Sequence, residues 1–238
     1  MKYIASCSGG KDSVATLLLA KEHNEPLDMV VFVEVMFDEN ISGELPEHID
    51  FIYNTLKPWV ENELKVPFIV LRSERNLVER YRHIICRGKN KGKKYGFPLP
   101  GMCMINRDCK MAPIKKFYKS IDDEVVQYVG IASDEPKRLA KLQQYQCSLL
   151  NKYGYTEEMA AELAKKHGLY SPIYNFTGRN GCWFCCNCRK SEWEHIINNH
   201  PDLFDKLLEL EKEDVVVKKI TRNRTPSQVK EWIKGSES

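Results

Sequence analysis

Two groups of residues in this chain carry reactive chemistry at spacings that ordinary packing does not require. The first is SCSGGKDS, Ser6 to Ser13, directly after a short apolar run. The backbone N–H groups of a glycine turn and of a following helix N-terminus converge on an anion. Gly9 and Gly10 let the chain approach a ligand without a side-chain clash. Lys11 adds a positive charge, and the hydroxyls of Ser8 and Ser13 can donate hydrogen bonds. The segment is not GxxxxGK[ST], so a Walker loop is excluded. The plain alternative is a strand-to-helix turn in which Asp12 or Ser13 only caps the helix.

The second group is sulfur. The chain has nine cysteines, and Cys182, Cys185, Cys186 and Cys188 fall within seven residues. CxxC occurs at Cys182 and Cys185 and again at Cys185 and Cys188, with Cys103 and Cys109 upstream. Both CxxC spacings suit a tetrahedral thiolate site. Zinc is the leading metal and an iron–sulfur cluster the alternative, since sulfur ligand sets serve both. Ligands from two segments would staple the tail to the rest of the chain, with Trp183 and Phe184 excluding water. Six candidate thiols exceed four ligands, which leaves Cys186 and Cys188 open to a redox role. A thiolate beside Lys110 or Arg189 would have a lowered pKa. Cys7, Cys86 and Cys147 read as packed, inert side chains.

The elements that must position these groups follow from hydrophobic patterning. Residues 2–8 read as a strand, with a helix starting near Asp12. Residues 27–35 and 125–132 are near-continuous apolar runs of the kind buried on both faces of a parallel sheet. Residues 67–71 make another strand, and 47–64, 110–121 and 155–167 read as helices, the last capped by Thr156. Strands alternating with helices give an α/β fold with a parallel sheet, whose ligand crevice lies at the carboxyl ends of the strands. After Tyr170 the composition shifts to the cysteine knot and helical segments over 191–199, 201–213 and 226–234. The expected organisation is therefore a nucleotide-binding domain over 1–170 and a Cys-rich helical module over 171–238, too small to depend on a large core of its own.

Three stretches resemble one family. SGGKDS looks like the PP-loop of the N-type ATP pyrophosphatases, also called adenine nucleotide alpha-hydrolase-like proteins. YVGIASDEPKRLAKL, Tyr128 to Leu142, is similar to the "GI..DE..R" segment of the phosphoadenosine phosphosulfate (PAPS) reductase branch, and CMINRDCKMAPIKKF, Cys103 to Phe117, to its Cys-containing helix. The resemblance covers about residues 3 to 142. It implies a HUP-like sheet sandwiched by helices that binds ATP or a related adenine nucleotide. Ser8, Gly9, Gly10, Lys11, Asp12, Ser13, Gly130, Asp134, Glu135 and Arg138 would line the nucleotide. Lys11 and Arg138 would neutralise phosphate, and Asp12 would orient the loop or help hold Mg²⁺; these three would be the catalytic groups. The implied reaction is adenylation of an acceptor with pyrophosphate release, for sulfur transfer or nucleic-acid modification. A nucleotide-binding accessory subunit and a sulfonucleotide reductase are the alternatives. The reductase is disfavoured, because no cysteine follows Cys188 and the ECGLH-type segment is missing.

Residues 133–138 also read locally as a helix start, with Ser133 or Asp134 as cap and Pro136 early. Lys137 and Arg138 on that first turn oppose the helix dipole, which makes sense beside a bound anion. The basic run Arg87 to Lys94 has five cations and no acid, and Lys218 to Arg224 adds four more, yet the net charge is only +3. Such a loop is a solvated surface, a lid over phosphates, or a nucleic-acid contact with steep salt dependence. His83, His195 and His200 show no ligand spacing. No apolar run spans a bilayer and the first residues lack a signal-peptide pattern, so a cytoplasmic protein without membrane contact is expected.

Overall fold

The computed structural model describes residues 1–179 and 181–235. Among the described residues the strands are β1 (Lys2–Ser6), β2 (Met29–Glu34), β3 (Phe68–Arg72), β4 (Lys94–Gly96), β5 (Val125–Tyr128), β6 (Gln146–Cys147) and β7 (Val215–Val217). No helix among them is long and apolar enough to cross a membrane. The chain divides into two units. One comprises residues 1–33, 46–71 and 113–175; the other comprises 34–45, 72–112 and the chain from 176 onward.

The first unit is an α/β layer structure. Its sheet has the order β3-β2-β1-β5-β6. β1 runs parallel to β2, with Ile4 beside Met29, and parallel to β5, with Lys2 beside Val125. β5 runs parallel to β6. Strand order therefore reverses about β1, and in such sheets the ligand crevice opens outside the carboxyl ends at that point. The first helix, α1 (Lys11–Glu22), has every residue from Ser13 to Ala20 buried. An unbroken small and apolar run is what a helix covered on all sides needs, and the helix Glu157–Lys166 packs against it. That covering helix is capped as expected, with Thr156 Oγ1 accepting from Met159 N–H at 3.2 Å.

Residues 46–64 are helical throughout, but widen twice into π turns, Ile52–Leu56 and Val60–Leu64. Pro58 lies between them and has no N–H to give, so the regular ladder is interrupted there. β6 escapes a hydrophobic reading because it is held by polar groups. Gln146 Nε2 donates to Gln127 Oε1 at 2.8 Å, and Gln127 Nε2 donates to Ser6 Oγ at 2.7 Å.

The second unit has an aromatic core of its own, contrary to the expectation of a tail held by something other than packing. Phe97, Trp183, Trp193 and Phe204 are buried, and the helices Lys190–Asn199, Pro201–Glu211 and Pro226–Lys234 pack together. Trp183 packs against Phe37, ring centroids 4.9 Å apart and tilted by 32°, and donates its Nε1–H to Ser42 O at 2.8 Å. Much of that core comes from residues 34–45 and 72–112, which lie far from the tail in sequence. The chain passes from the first unit to the second at 175/176, five residues beyond the compositional break.

β4 and β7 pair in parallel at Gly96 and Val217. Gly96 has φ +103°, and a Cβ there would sit 2.2 Å from Val217 O. Substituting alanine therefore combines left-handed strain with a backbone clash. Gly96→Ala is expected to destabilise the second unit by at least about 2 kcal/mol. Urea unfolding followed by tryptophan fluorescence checks this, and an unchanged midpoint would refute it.

Candidate functional site

The turn after β1 is assembled around Ser13. Its hydroxyl donates to Gly10 O at 2.9 Å and accepts from Ser8 N–H at 3.2 Å, while Ser8 Oγ accepts from Gly10 N–H at 3.4 Å. Both hydroxyls thus shape the loop in this structure. Gly10 is the N-cap of α1 and no side chain caps the helix, so neither Asp12 nor Ser13 has the capping role. Gly9 has φ +72°, and a Cβ there would meet His48 Cε1 at 2.9 Å. Cys7 is buried behind the turn, where desolvation pushes its thiol pKa up. It is a packed neutral side chain, as read from the sequence.

Three residues around this turn carry no sequence signal. His48, 1% exposed, has Nε2 2.8 Å from Ser8 O and Nδ1 2.8 Å from Ser171 Oγ. A carbonyl can only accept, so Nε2 carries a proton and donates to Ser8 O. Tyr174 Oη accepts from the Lys11 backbone N–H at 3.0 Å, placing a hydroxyl at the N-terminus of α1. Burial raises the tyrosine pKa to about 12, so the group stays neutral.

Gly130, after β5, is brought against the same turn. A Cβ there would lie 2.7 Å from Ser13 N and 2.8 Å from Asp12 C. The Lys11 ammonium lies 2.8 Å from Asp12 Oδ1 and 3.6 Å from Glu157 Oε2. The segment after Gly130 is built differently from the expected helix start. Glu135, not Ser133 or Asp134, is the N-cap of a one-turn helix, Pro136–Leu139. Asp134 Oδ1 instead accepts from Glu157 N–H at 3.2 Å, at the start of the next long helix. Arg138 is half exposed and pairs with Glu135 at 2.6 Å, which offsets the unfavourable dipole position from within the turn.

The sulfur groups gather in the second unit. Cys185 N–H donates to Cys182 O at 3.1 Å and Cys188 N–H to Cys185 O at 2.9 Å, two successive tight turns. Cys186 lies within sulfur hydrogen-bonding reach of both Cys103 and Cys185, and Cys188 within reach of Cys185. The Cys186 and Cys188 thiols hold Cys185 well below the usual thiol range, and the Arg179 guanidinium contributes. Arg179 Nη2 donates to Cys188 Sγ at 3.5 Å and pairs with Glu192 at 3.1 Å, while its buried Nε has no hydrogen-bond partner. The cation beside Cys185 and Cys188 is Arg179, while the Lys110 charge expected from the sequence acts on Cys182 and Glu44. Arg189 instead begins the helix Lys190–Asn199, its N–H bonded to Glu192 Oε2 at 2.7 Å.

Cys182 lies beside buried Glu44 on a two-residue bridge, and burial pushes both groups up in pKa. Cys109 is fully buried, pushed up to about 11 by burial, and takes no part in the sulfur hydrogen bonds. Among the described residues no three of these sulfurs lie mutually within 4.8 Å. Of the thiols read as packed, Cys147 is partly buried against the core, but Cys86 is exposed. His195 and His200 also come together, with ring centroids 5.5 Å apart, and His195 stacks on Phe176 at 3.5 Å.

No known protein-family profile matches the chain. It is 26% identical over 255 residues to an uncharacterized 37.8 kDa protein in the gpa 5' region of Escherichia phage 186, covering 88% of this chain and 74% of that one. It is 27% identical over 219 residues to an uncharacterized protein of Methanocaldococcus jannaschii, covering 84% of this chain but only 39% of the relative. Among solved structures it is similar to the U34-tRNA thiolase NcsA from Methanococcus maripaludis with its 4Fe–4S cluster. The TM-score there is 0.42 at 16% identity, over 90% of this chain and 73% of that one.

Proposed function

We propose that the chain is a PP-loop enzyme that binds ATP, or a related adenine nucleotide, at Ser8–Ser13 and adenylates an acceptor. The observation that carries this reading is the placement of the glycine turn. It leaves β1 at the switch point of the parallel sheet, enters a helix with no side-chain cap, and is closed from behind by Gly130. Phosphate oxygens would take the first-turn N–H groups of α1 and displace the Tyr174 hydroxyl from Lys11 N–H. The Lys11 ammonium would turn from Asp12 to the phosphates, freeing the Asp12 carboxylate for Mg²⁺. Arg138 would join them on leaving Glu135. An acceptor oxygen then attacks the α-phosphorus, the bond to the bridging oxygen breaks, and pyrophosphate leaves with that electron pair.

The thiols supply the second half of the reading. Cys103, Cys185, Cys186 and Cys188, with Cys182 alongside, suit a thiolate-bound metal whose negative charge the Arg179 guanidinium would offset. A thiolate set of this kind serves zinc or an iron–sulfur cluster, and metal analysis distinguishes them. Either metal would make the second unit the place where sulfur chemistry or acceptor binding is organised. A nucleotide-binding accessory subunit remains the competing reading.

Incubating the protein with ATP, Mg²⁺ and candidate acceptors, and following AMP and pyrophosphate, separates the two. Nucleotide binding without α-phosphate cleavage for any acceptor would favour the accessory subunit. Lys11→Ala is expected to weaken ATP binding about tenfold or more, from loss of one charge-assisted contact, with the melting temperature unchanged. Calorimetric titration checks this, and unaltered affinity would remove Lys11 from the site.

A further inference from the structure

The parallel pair β4–β7 in the second unit ends at a cavity of about 570 Å³. Its floor is apolar: Leu99, Pro100 and Met102 come from the segment after β4, and Val216 and Val217 from β7. Its rim carries Lys218, Lys219 and Arg222, and no acidic residue lines it. Leu99 to Met102 is a tight turn, with Met102 N–H donating to Leu99 O at 3.2 Å and Gly101 at φ +82°. That turn holds Met102 out at 73% exposure. Lys218 makes only a long pair, 3.9 Å, with fully exposed Asp214. Arg224, from the same basic segment, stacks on Trp232 at 4.2 Å and serves the fold. Lys219 and Arg222 form no ion pair among the described residues.

We infer that this cavity is a binding site for single-stranded nucleic acid, with a base on the Leu99–Met102 and Val216–Val217 floor and the flanking phosphates on Lys219 and Arg222. A volume in the range of roughly 300–1,000 Å³ suits a small planar group. Cations beside an apolar platform are the combination by which single strands are held without sequence reading. Met102 immediately precedes Cys103, so a base seated here abuts the segment that carries one of the gathered thiols. The inference deepens the reading above and rests on it in one respect: it names the acceptor class as nucleic acid. The basic run Arg87 to Lys94 precedes and includes the start of β4, at the other end of the strand pair from the cavity.

The test is fluorescence anisotropy of a labelled oligouridine RNA titrated with the full chain over a range of KCl concentrations. Wild-type protein is expected to bind with a clear salt dependence. The double variant Lys219→Glu, Arg222→Glu should bind at least about tenfold more weakly and lower the log–log salt slope by about 0.7 for each phosphate contact removed. Met102→Glu, at an exposed position that does not threaten folding, should also weaken binding. So should an oligonucleotide with abasic sites at its centre. Circular dichroism and melting confirm that the variants are folded. Wild-type affinity in both variants would overturn the site. Equal binding of the abasic strand would overturn the seat for a base, and equal competition by polyglutamate would mark the surface as one for acidic polypeptides instead. ATP binding is measured on the same wild-type preparation. ATP bound without RNA sinks only this inference, whereas RNA bound without ATP sinks the nucleotide reading and leaves the cavity assignment standing.

Discussion

Gly130→Ala is expected to cripple nucleotide binding at the proposed site while leaving the chain folded. The added methyl would lie 2.7 Å from Ser13 N, 2.8 Å from Asp12 C and 3.0 Å from Asp12 O. All three are backbone atoms, so no side chain can swing away to make room. They belong to the first turn of α1, whose following residues are buried on every side. The clash must therefore be relieved by moving the turn or the end of β5, and either one shifts the N–H groups offered to phosphate. Displacement of a positioned group by about 1 Å costs on the order of a hundredfold in turnover. Overpacking of this kind costs about 1–3 kcal/mol of stability. Calorimetric ATP titration, an assay of pyrophosphate release and a melting curve measure these effects. Gly178→Ala is the control, since its methyl would meet only Arg189 Nη1 at an ordinary 3.6 Å. Equal ATP affinity in wild type and Gly130→Ala would show that the turn after β5 does not support the site.

Cys185→Ser is expected to remove bound metal from the second unit. Cys185 is the sulfur that both Cys186 and Cys188 approach, with Arg179 contributing a positive charge. Serine at that position is a poor ligand for a metal selected by thiolates. Metal content, by elemental analysis and by visible absorption for an iron–sulfur cluster, should fall severalfold. The tryptophan signal of the second unit should also melt earlier, because metal binding couples to folding. Cys109→Ala should behave in the opposite way. That thiol is buried outside the sulfur hydrogen bonds, so its removal costs packing, about 1 kcal/mol or somewhat more, but not metal. Full metal content in Cys185→Ser together with loss in Cys109→Ala would reverse the ligand assignment. A colourless zinc-bearing protein would identify zinc as the metal, and a brown one an iron–sulfur cluster.

The two variants differ in how far their sites were legible. The glycine turn was readable because its signal is local: an apolar strand, two glycines free of Cβ, a lysine and a helix start within about a dozen residues. Gly130 entered through the resemblance of residues 128–142, not through any local requirement. His48, Ser171 and Tyr174 were not readable, since a histidine in PEHID and hydroxyls in LYSPIY differ in no way from surface residues until the chain folds back. Capping at 133–135 was misplaced by one or two residues, because Asp134 finds a better partner in Glu157 N–H, which lies twenty-three residues on. In the sulfur group, spacing marked Cys182, Cys185 and Cys188 correctly as neighbours. It could not show that Cys186 faces Cys103 while Cys109, one helical stretch away, turns into the core.

By itself, the sequence determined the parallel α/β class, the order of the principal strands and helices, and the position of the glycine turn between β1 and α1. Each of these follows from backbone sterics and hydrophobic periodicity over a few residues. Tertiary structure alone decided that the cysteine tail shares an aromatic core with residues 34–45 and 72–112, that Gly130 closes the loop, and that Lys219 and Arg222 rim an apolar cavity. Those outcomes depend on contacts between segments tens to more than a hundred residues apart, for which one chain's local propensities carry no term.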